Sequence, residues 1–179
     1  MAVTMVDVQH LRKMTGAGVM DCKNALNEAE GDYNKAIEIV RKKGQAIAAK
    51  RENREASEGC VLAASKDNFA SIVAVKCETD FVAKGEDFIG MVKRILNATL
   101  ENKPKSIEEL NNLFVDGFKV CEWITNRIGI SGEKMELGNY EYLIAATTVT
   151  YVHPGNKLAT IVGFNQVNVD TQVAKDIAM

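Results

Sequence analysis

Gly59-Cys60-Val61-Leu62-Ala63-Ala64-Ser65-Lys66-Asp67-Asn68-Phe69-Ala70-Ser71-Ile72-Val73-Ala74-Val75-Lys76-Cys77 is the stretch on which the fold reading turns. Cys60 to Ser65 and Phe69 to Cys77 are rich in β-branched and small residues, and the polar Lys66-Asp67-Asn68 separates them. Two such runs around a short polar break predict a β-hairpin. Helical patterns flank it on both sides, which gives an α+β fold class built on an antiparallel sheet.

Upstream, the pattern predicts three short helices. Val6, Leu11 and Met14 mark the first, and Thr15-Gly16-Ala17-Gly18 stops it. Met20, Ala25 and Leu26 mark the second, followed by Gly31. Asp32 is a good N-cap for the third, because its carboxylate accepts from free backbone N–H groups. Tyr33, Ala36, Ile37 and Val40 then form one apolar stripe. Gly44 is predicted to end this helix as a left-handed C′ residue. Residues 1–44 therefore read as a three-helix module and 45–58 as a polar helical linker. Lys50, Arg51 and Arg54 give the linker a basic face. Two readings of that face are open, a solvated connector or a nucleic-acid contact, and the near-neutral chain favours the first.

Downstream, the tight segment Glu78-Thr79-Asp80-Phe81-Val82-Ala83-Lys84-Gly85 precedes a helix with Phe88, Ile89, Val92, Ile95 and Leu96 on one side. Pro104 breaks that helix, and Ser106 with Glu109 reads as a capping box for the next. A further helix is predicted over Phe118 to Arg127, with Gly129 after it. Tyr140 to Val152 reads as one strand, Pro154-Gly155-Asn156 as a turn, and Leu158 to Phe164 as the return strand. Asp170 opens an amphipathic helix bearing Val173, Ile177 and Ala178, predicted to be held by packing of Val173 and Ile177 on that hairpin. Ala70-Ser71-Ile72-Val73 and Ala159-Thr160-Ile161-Val162 take equivalent places, a weak internal duplication. Residues 59–139 thus form a first core subdomain and 140–179 part of a second. The incomplete part should leave a strand edge or apolar patch open to self-association.

The 179 residues include 46% hydrophobic and 26% charged, enough for a sizeable core. With 22 basic and 24 acidic residues the net charge is -2, which argues against a protein built to grip nucleic-acid backbones. No apolar run is long enough to span a bilayer. Met1 to Asp7 lack a basic patch followed by an apolar stretch, so no signal peptide is expected and a cytoplasmic location is. Cys22, Cys60, Cys77 and Cys121 are far apart and read as small buried hydrophobes. His10 and His153 belong to no cluster with zinc spacing. Thr15-Gly16-Ala17-Gly18 lacks the Walker lysine and a preceding strand. Cys77-Glu78-Thr79-Asp80 is a dense polar cluster without a histidine nearby in sequence, so a strand-end cysteine is favoured over a nucleophile. No catalytic residue, metal site or cofactor is expected. Phe81, in a short charged loop, is open to two readings: packing back onto its own helix, or an exposed aromatic shaped for a partner's pocket.

Two stretches carry a resemblance to the bacterial elongation factor Ts family, exchange factors for elongation factor Tu. One runs from Leu11 to Leu26 and on through Gly31-Asp32 to Lys42-Lys43-Gly44, and is similar to the family's N-terminal module, a fold like ubiquitin-associated domains. The other, Cys77 to Lys84, matches the family's Thr-Asp-Phe-Val loop. Weaker matches are Gly132-Glu133-Lys134-Met135-Glu136 and Tyr151-Val152-His153. Lys76 stands where the family often has Asn, and Pro154 lies in a turn that is often glycine-rich. Family members usually continue further, so the resemblance implies a C-terminally truncated chain with an incomplete second subdomain.

The resemblance further implies a protein that is not an enzyme. It would bind elongation factor Tu, with no direct nucleic-acid contact and no membrane, and deform the GTPase's magnesium and phosphate site so that GDP leaves. Thr79, Asp80, Phe81 and Val82 would form the wedge. Val19 and Met20 would contact a different helix of the GTPase, and His153 is a further contact candidate.

Overall fold

Thr4 begins the first helix by a reciprocal cap. Its hydroxyl accepts from the Asp7 amide, while the Asp7 carboxylate accepts from the Thr4 amide at 2.9 Å. Each bond satisfies a donor that the first helical turn would otherwise leave open. The computed structural model describes residues 3–115 and 117–179. Met1 and Ala2, part of the stretch read for a signal peptide, lie outside the described residues. The chain divides into two compact units, Met1–Arg54 with Trp123–Lys134, and Glu55–Glu122 with Met135–Met179.

The first unit opens with α1 (Met5–Thr15), α2 (Val19–Glu28) and α3 (Tyr33–Arg51). Its core is Val8, Leu11, Cys22, Ala25, Leu26 and Ala36, with Tyr33, Ile37 and Val40 packed against it. Val6 and Met14, which mark α1 in the sequence, are exposed, and so is Met20, which marks α2 and is also an expected partner contact. In α1 the buried pair is Val8 and Leu11, spaced i,i+3, and neither Val6 nor Met14 shares that inner face with them. Asp32 caps α3 as expected, accepting from the amides of Asn34 and Lys35. Asp7 also accepts a 2.7 Å hydrogen bond from the Tyr33 hydroxyl, tying α1 to α3.

Gly44 does not end α3, which runs on to Arg51. The reason lies later in the chain. A Cβ on Gly129 would stand 2.7 Å from the Gly44 Cα, so the two glycines let two helix backbones touch. Sequence alone reads each glycine as a stop, whereas here each is a contact.

The second unit begins with β1 (Glu58–Lys66) and β2 (Phe69–Cys77), the expected antiparallel hairpin, running in register from Glu58↔Cys77 to Lys66↔Phe69. There follow α4 (Asp80–Ala83), α5 (Glu86–Asn102), α6 (Ile107–Asn112), the small hairpin β3 (Phe114–Val115) and β4 (Phe118–Lys119), and α7 (Val120–Ser131). Ser106 accepts from the Glu109 amide, but the Glu109 carboxylate returns to the Lys105 amide, one residue before the cap. The last part of α7 belongs to the first unit, where it passes through Gly129 instead of ending before it.

β5 (Met135–Ile144) pairs with β2 on the side away from β1, giving the order β1-β2-β5. β6 (Thr147–Val152) and β7 (Ala159–Phe164) form a separate antiparallel hairpin, and α8 (Thr171–Ala178) follows. The single strand read over Tyr140 to Val152 is thus two strands in two sheets. The two fragments read as a duplication lie on β2 and β7, the return strands of the two hairpins. α5 covers the three-stranded sheet with Phe88, Val92 and Ile95 fully buried. Each such side chain contributes about 1.5–3 kcal/mol. Ser71 and Thr99, both buried, satisfy one another at 2.6 Å across this seam. Burial without that bond would cost each hydroxyl its water partners.

α8 packs through Ala174 and Ala178, which are 1% and 2% exposed, while Val173 and Ile177 are 52% and 57% exposed. This overturns the expected packing of Val173 and Ile177, while Ala178 is on the buried side. Small side chains let the helix seat close to its hairpin, where the Thr160 hydroxyl reaches the Ala178 carbonyl. Of the cysteines, Cys22, Cys60 and Cys77 are buried, but Cys121 is exposed on the first turn of α7.

Two outcomes follow from this packing. Alanine in place of Gly129 should destabilise the first unit by about 1–2 kcal/mol, because an overpacked backbone contact outweighs the gain in helix propensity. Gly90, mid-helix in α5 with open space around its Cα, should behave oppositely, Gly90→Ala stabilising by up to about 1 kcal/mol. Urea unfolding followed by Trp123 fluorescence and by circular dichroism reads the two. Hydrogen bonds from the Thr4 side chain and amide, then from Tyr33, hold the Asp7 carboxyl at about 2 against an ordinary 3.8. A depressed carboxylate stabilises the folded state above its unfolded value, and this is lost as pH falls through the folded value. Acid titration of Trp123 fluorescence should show stability declining from pH 3.8 towards about 2, and Asp7→Asn should remove that component.

Candidate functional site

β2 ends at Cys77, buried between two neighbouring strands. Its thiol donates to the Thr79 carbonyl at 3.2 Å. Thr79 is extended, at φ -122 and ψ 153, and its hydroxyl accepts from the Val82 amide. This is an N-cap, and it turns the chain from strand to helix within two residues. α4 is a single turn, closed where the Lys84 amide meets the Asp80 carbonyl at 3.0 Å. Ala83 is buried and anchors the inner side of the turn. Val82 is half-buried, and Gly85 starts α5 directly afterwards.

A one-turn helix pinned by Thr79 and Ala83 has an outward side, and Phe81 occupies it. Its ring is 88% exposed, the most exposed large apolar side chain among the described residues. It does not pack back on its own helix, so that reading of the sequence falls. Beside it, Asp80 and Lys84 form an ion pair at 2.6 Å. The hydrogen bond and charge of Lys84 hold the Asp80 carboxyl below its ordinary range, and Asp80 raises Lys84 in turn. The turn therefore presents one apolar ring beside a paired, fully ionised couple. The i,i+4 spacing of these charges was visible in the sequence, but the reading there did not use it.

Val19 and Met20 lie on the first turn of α2 and are exposed, Met20 to 63%. Gly18 caps that turn without a side chain, and Asp21 pairs with Lys43. His153 is exposed in the turn between β6 and β7, with its Nδ1 2.7 Å from the Tyr151 hydroxyl. Thr79 to Val82 are brought together by α4. Val19 and Met20 belong to the other unit.

Cys77 and Cys60 are both buried. Burial pushes the Cys60 thiol up to about 11, so it stays protonated. Among the described residues no group of three His, Cys, Asp or Glu side chains converges as a metal site would require. No helix among them is long and apolar enough to cross a membrane.

A family model described as "Elongation factor TS" matches residues 78–179, more than half of the chain and a span that opens at this turn. The chain is 76% identical over its whole length to an elongation factor Ts of Azobacteroides pseudotrichonymphae, of which it covers 65%. It is 59% identical over its whole length to one from Porphyromonas gingivalis, again covering 65%. With one from Bacteroides fragilis it shares 54% identity and covers 54% of that protein. The chain thus spans less than two thirds of the length of these relatives. With the Thr-Asp-Phe-Val turn inside the matched region and its ring turned outward, the chain belongs to the elongation factor Ts family.

Proposed function

We propose that this chain docks on elongation factor Tu and speeds the release of its GDP, with Thr79 to Val82 as the wedge near the magnesium and phosphate site. The observation that carries this reading is the exposure of Phe81, 88%, on a turn held at both ends. An aromatic ring held in water on a rigid turn is suited to enter a partner's apolar slot. The role is that of a binding protein, not an enzyme, and it implies a cytoplasmic setting with no direct nucleic-acid contact. The elongation factor Ts names of its relatives support it.

The physics is differential affinity. The factor must favour the nucleotide-free GTPase, and GDP the closed one, so each weakens the other's hold by the same factor. Mg²⁺ demands near-octahedral oxygen ligands at 2.0–2.1 Å, so a small displacement of one ligand loosens it. Moving a site from mostly closed to mostly open takes about 5.5 kcal/mol of differential affinity. Burying one Phe supplies roughly 1.5–3 kcal/mol, so Phe81 contributes part of the effect. Asp80, held ionised by Lys84, and a second contact through Val19 and Met20 would supply more, with His153 as a third point.

The same reading treats residues 1–44 as a ubiquitin-associated-like module, 45–58 as a linker, and 59–139 and 140–179 as successive subdomains. The outward Val173–Ile177 face of α8 is where a second copy would associate.

Phe81→Ala should slow release of labelled GDP from elongation factor Tu by about one to two factors of ten. Folding stability should change by less than ~0.5 kcal/mol, because the ring is already in water. Unfolding of the variant, or unchanged release, would sink the wedge assignment. Val19→Ala with Met20→Ala should raise the concentration of factor giving half-maximal release about tenfold, leaving the melting temperature unchanged. An unaltered concentration dependence would remove those residues from the interface.

A further inference from the structure

The turn that carries His153 and the turn that carries Phe81 are fastened to the same end of one strand. α4 packs against β1. The Val61 amide, near the start of β1, donates to the Asn156 carbonyl at 2.8 Å. Three residues earlier on the same strand, the Glu58 carboxylate forms an ion pair with the Lys157 ammonium. Glu58 and Lys157 are 99 positions apart in the chain, so no local pattern requires them to meet.

The turn itself is tight. The His153 amide donates to the Leu158 carbonyl at 2.8 Å, and the Asn156 amide to the His153 carbonyl at 3.0 Å. Gly155 and Asn156 both take left-handed backbone conformations, at φ 92 and 56. A compact turn held by the Val61 bond alone could pivot about it. The β6–β7 hairpin also packs along β1, and a second fastening three residues along the strand, roughly 10 Å away, restricts that freedom further. The two ion pairs also share a field. Lys157 contributes to holding Asp80 ionised, and Glu58 contributes to holding Lys84 charged.

We propose that Glu58 and Lys157 are positioning residues that lock the His153 turn to β1 beside the Phe81 turn, so that both meet a protein partner as one preformed surface. This rests on the docking reading given above. Neither residue is required to touch the partner. Their action is to keep two contact points in fixed geometry, which matters because a binding constellation must be held to within about 0.5 Å.

Three variants of the full chain test this: Glu58→Gln, Lys157→Met, and the exchange Glu58→Lys with Lys157→Glu. An ion pair this exposed is worth a factor of about two to five. Each single variant should raise the factor concentration for half-maximal GDP release from elongation factor Tu by that factor, with the saturating rate little changed. The exchanged pair should recover most of the loss in Val61 protection but only part of the loss in release, because it sets like charges toward Asp80 and Lys84. Independently of any partner, hydrogen exchange at the Val61 amide should quicken by a similar factor in the single variants and slow again in the exchanged pair. A merely stabilising pair would shift the melting temperature without this matched pattern. If both singles leave release and Val61 exchange unaltered, or the exchanged pair fails to recover Val61 protection, the positioning role is overturned. Phe81→Ala measured alongside separates the two levels. An impaired Phe81→Ala beside unaffected Glu58→Gln and Lys157→Met overturns this inference alone, whereas an unimpaired Phe81→Ala overturns the docking reading and this inference with it.

Discussion

The pairing of β2 on both of its edges is the constraint from which the candidate site follows. β1 and β5 flank it, and α5 covers the sheet, so Phe69, Val73, Val75 and Cys77 are all fully buried. A strand held this way ends in a fixed place and direction. Thr79 then has two residues in which to leave the sheet and cap a helix. The outcome is a turn whose inner side is Ala83 and whose outer side is Phe81. Ring exposure here follows from the seating of Ala83 and the Thr79 cap.

That arrangement suits a task in which binding energy must do mechanical work. A floppy aromatic would lose its gain to the entropy of ordering, about 1–2 kcal/mol per backbone residue fixed. Thr79, Ala83 and the Asp80–Lys84 pair order the turn in advance. The partner in the proposed reading would then meet a shape already set, with the full differential affinity left for distorting its nucleotide site.

The first unit solves a different packing problem. Its fully buried side chains are mostly small, and three helices bury only a modest core around Leu11 and Leu26. The last part of α7 adds a fourth helical surface through the backbone contact of Gly129 with Gly44, and Gly16 leaves room for Ile130 beside it. Dispersion between closely approaching backbones replaces the area that large side chains would otherwise bury.

The two runs of β-branched and small residues around Lys66-Asp67-Asn68 determined the β1–β2 hairpin by themselves, because strand propensity and a polar break are local properties of the chain. Asp32 as an N-cap and the α5 stripe of Phe88, Val92 and Ile95 were equally legible, since capping and helical spacing act within a few residues. Thr79 to Val82 could be located by motif. The elements that sequence misplaced all depend on distant partners. Gly44 and Gly129 looked like helix ends because their reason for being glycine lies 85 positions away in the chain, in each other. Tyr140 to Val152 looked like one strand because nothing local says that β5 joins β2 while β6 turns to β7. Val173 and Ile177 looked like the inner face of α8 because hydrophobicity ranks them above Ala174, yet a close helix–sheet approach selects small residues. Whether Phe81 turned inward or outward was open for the same reason: an aromatic beside charges is compatible with both, and only the seating of Ala83 against the sheet decided which side of the turn faced water.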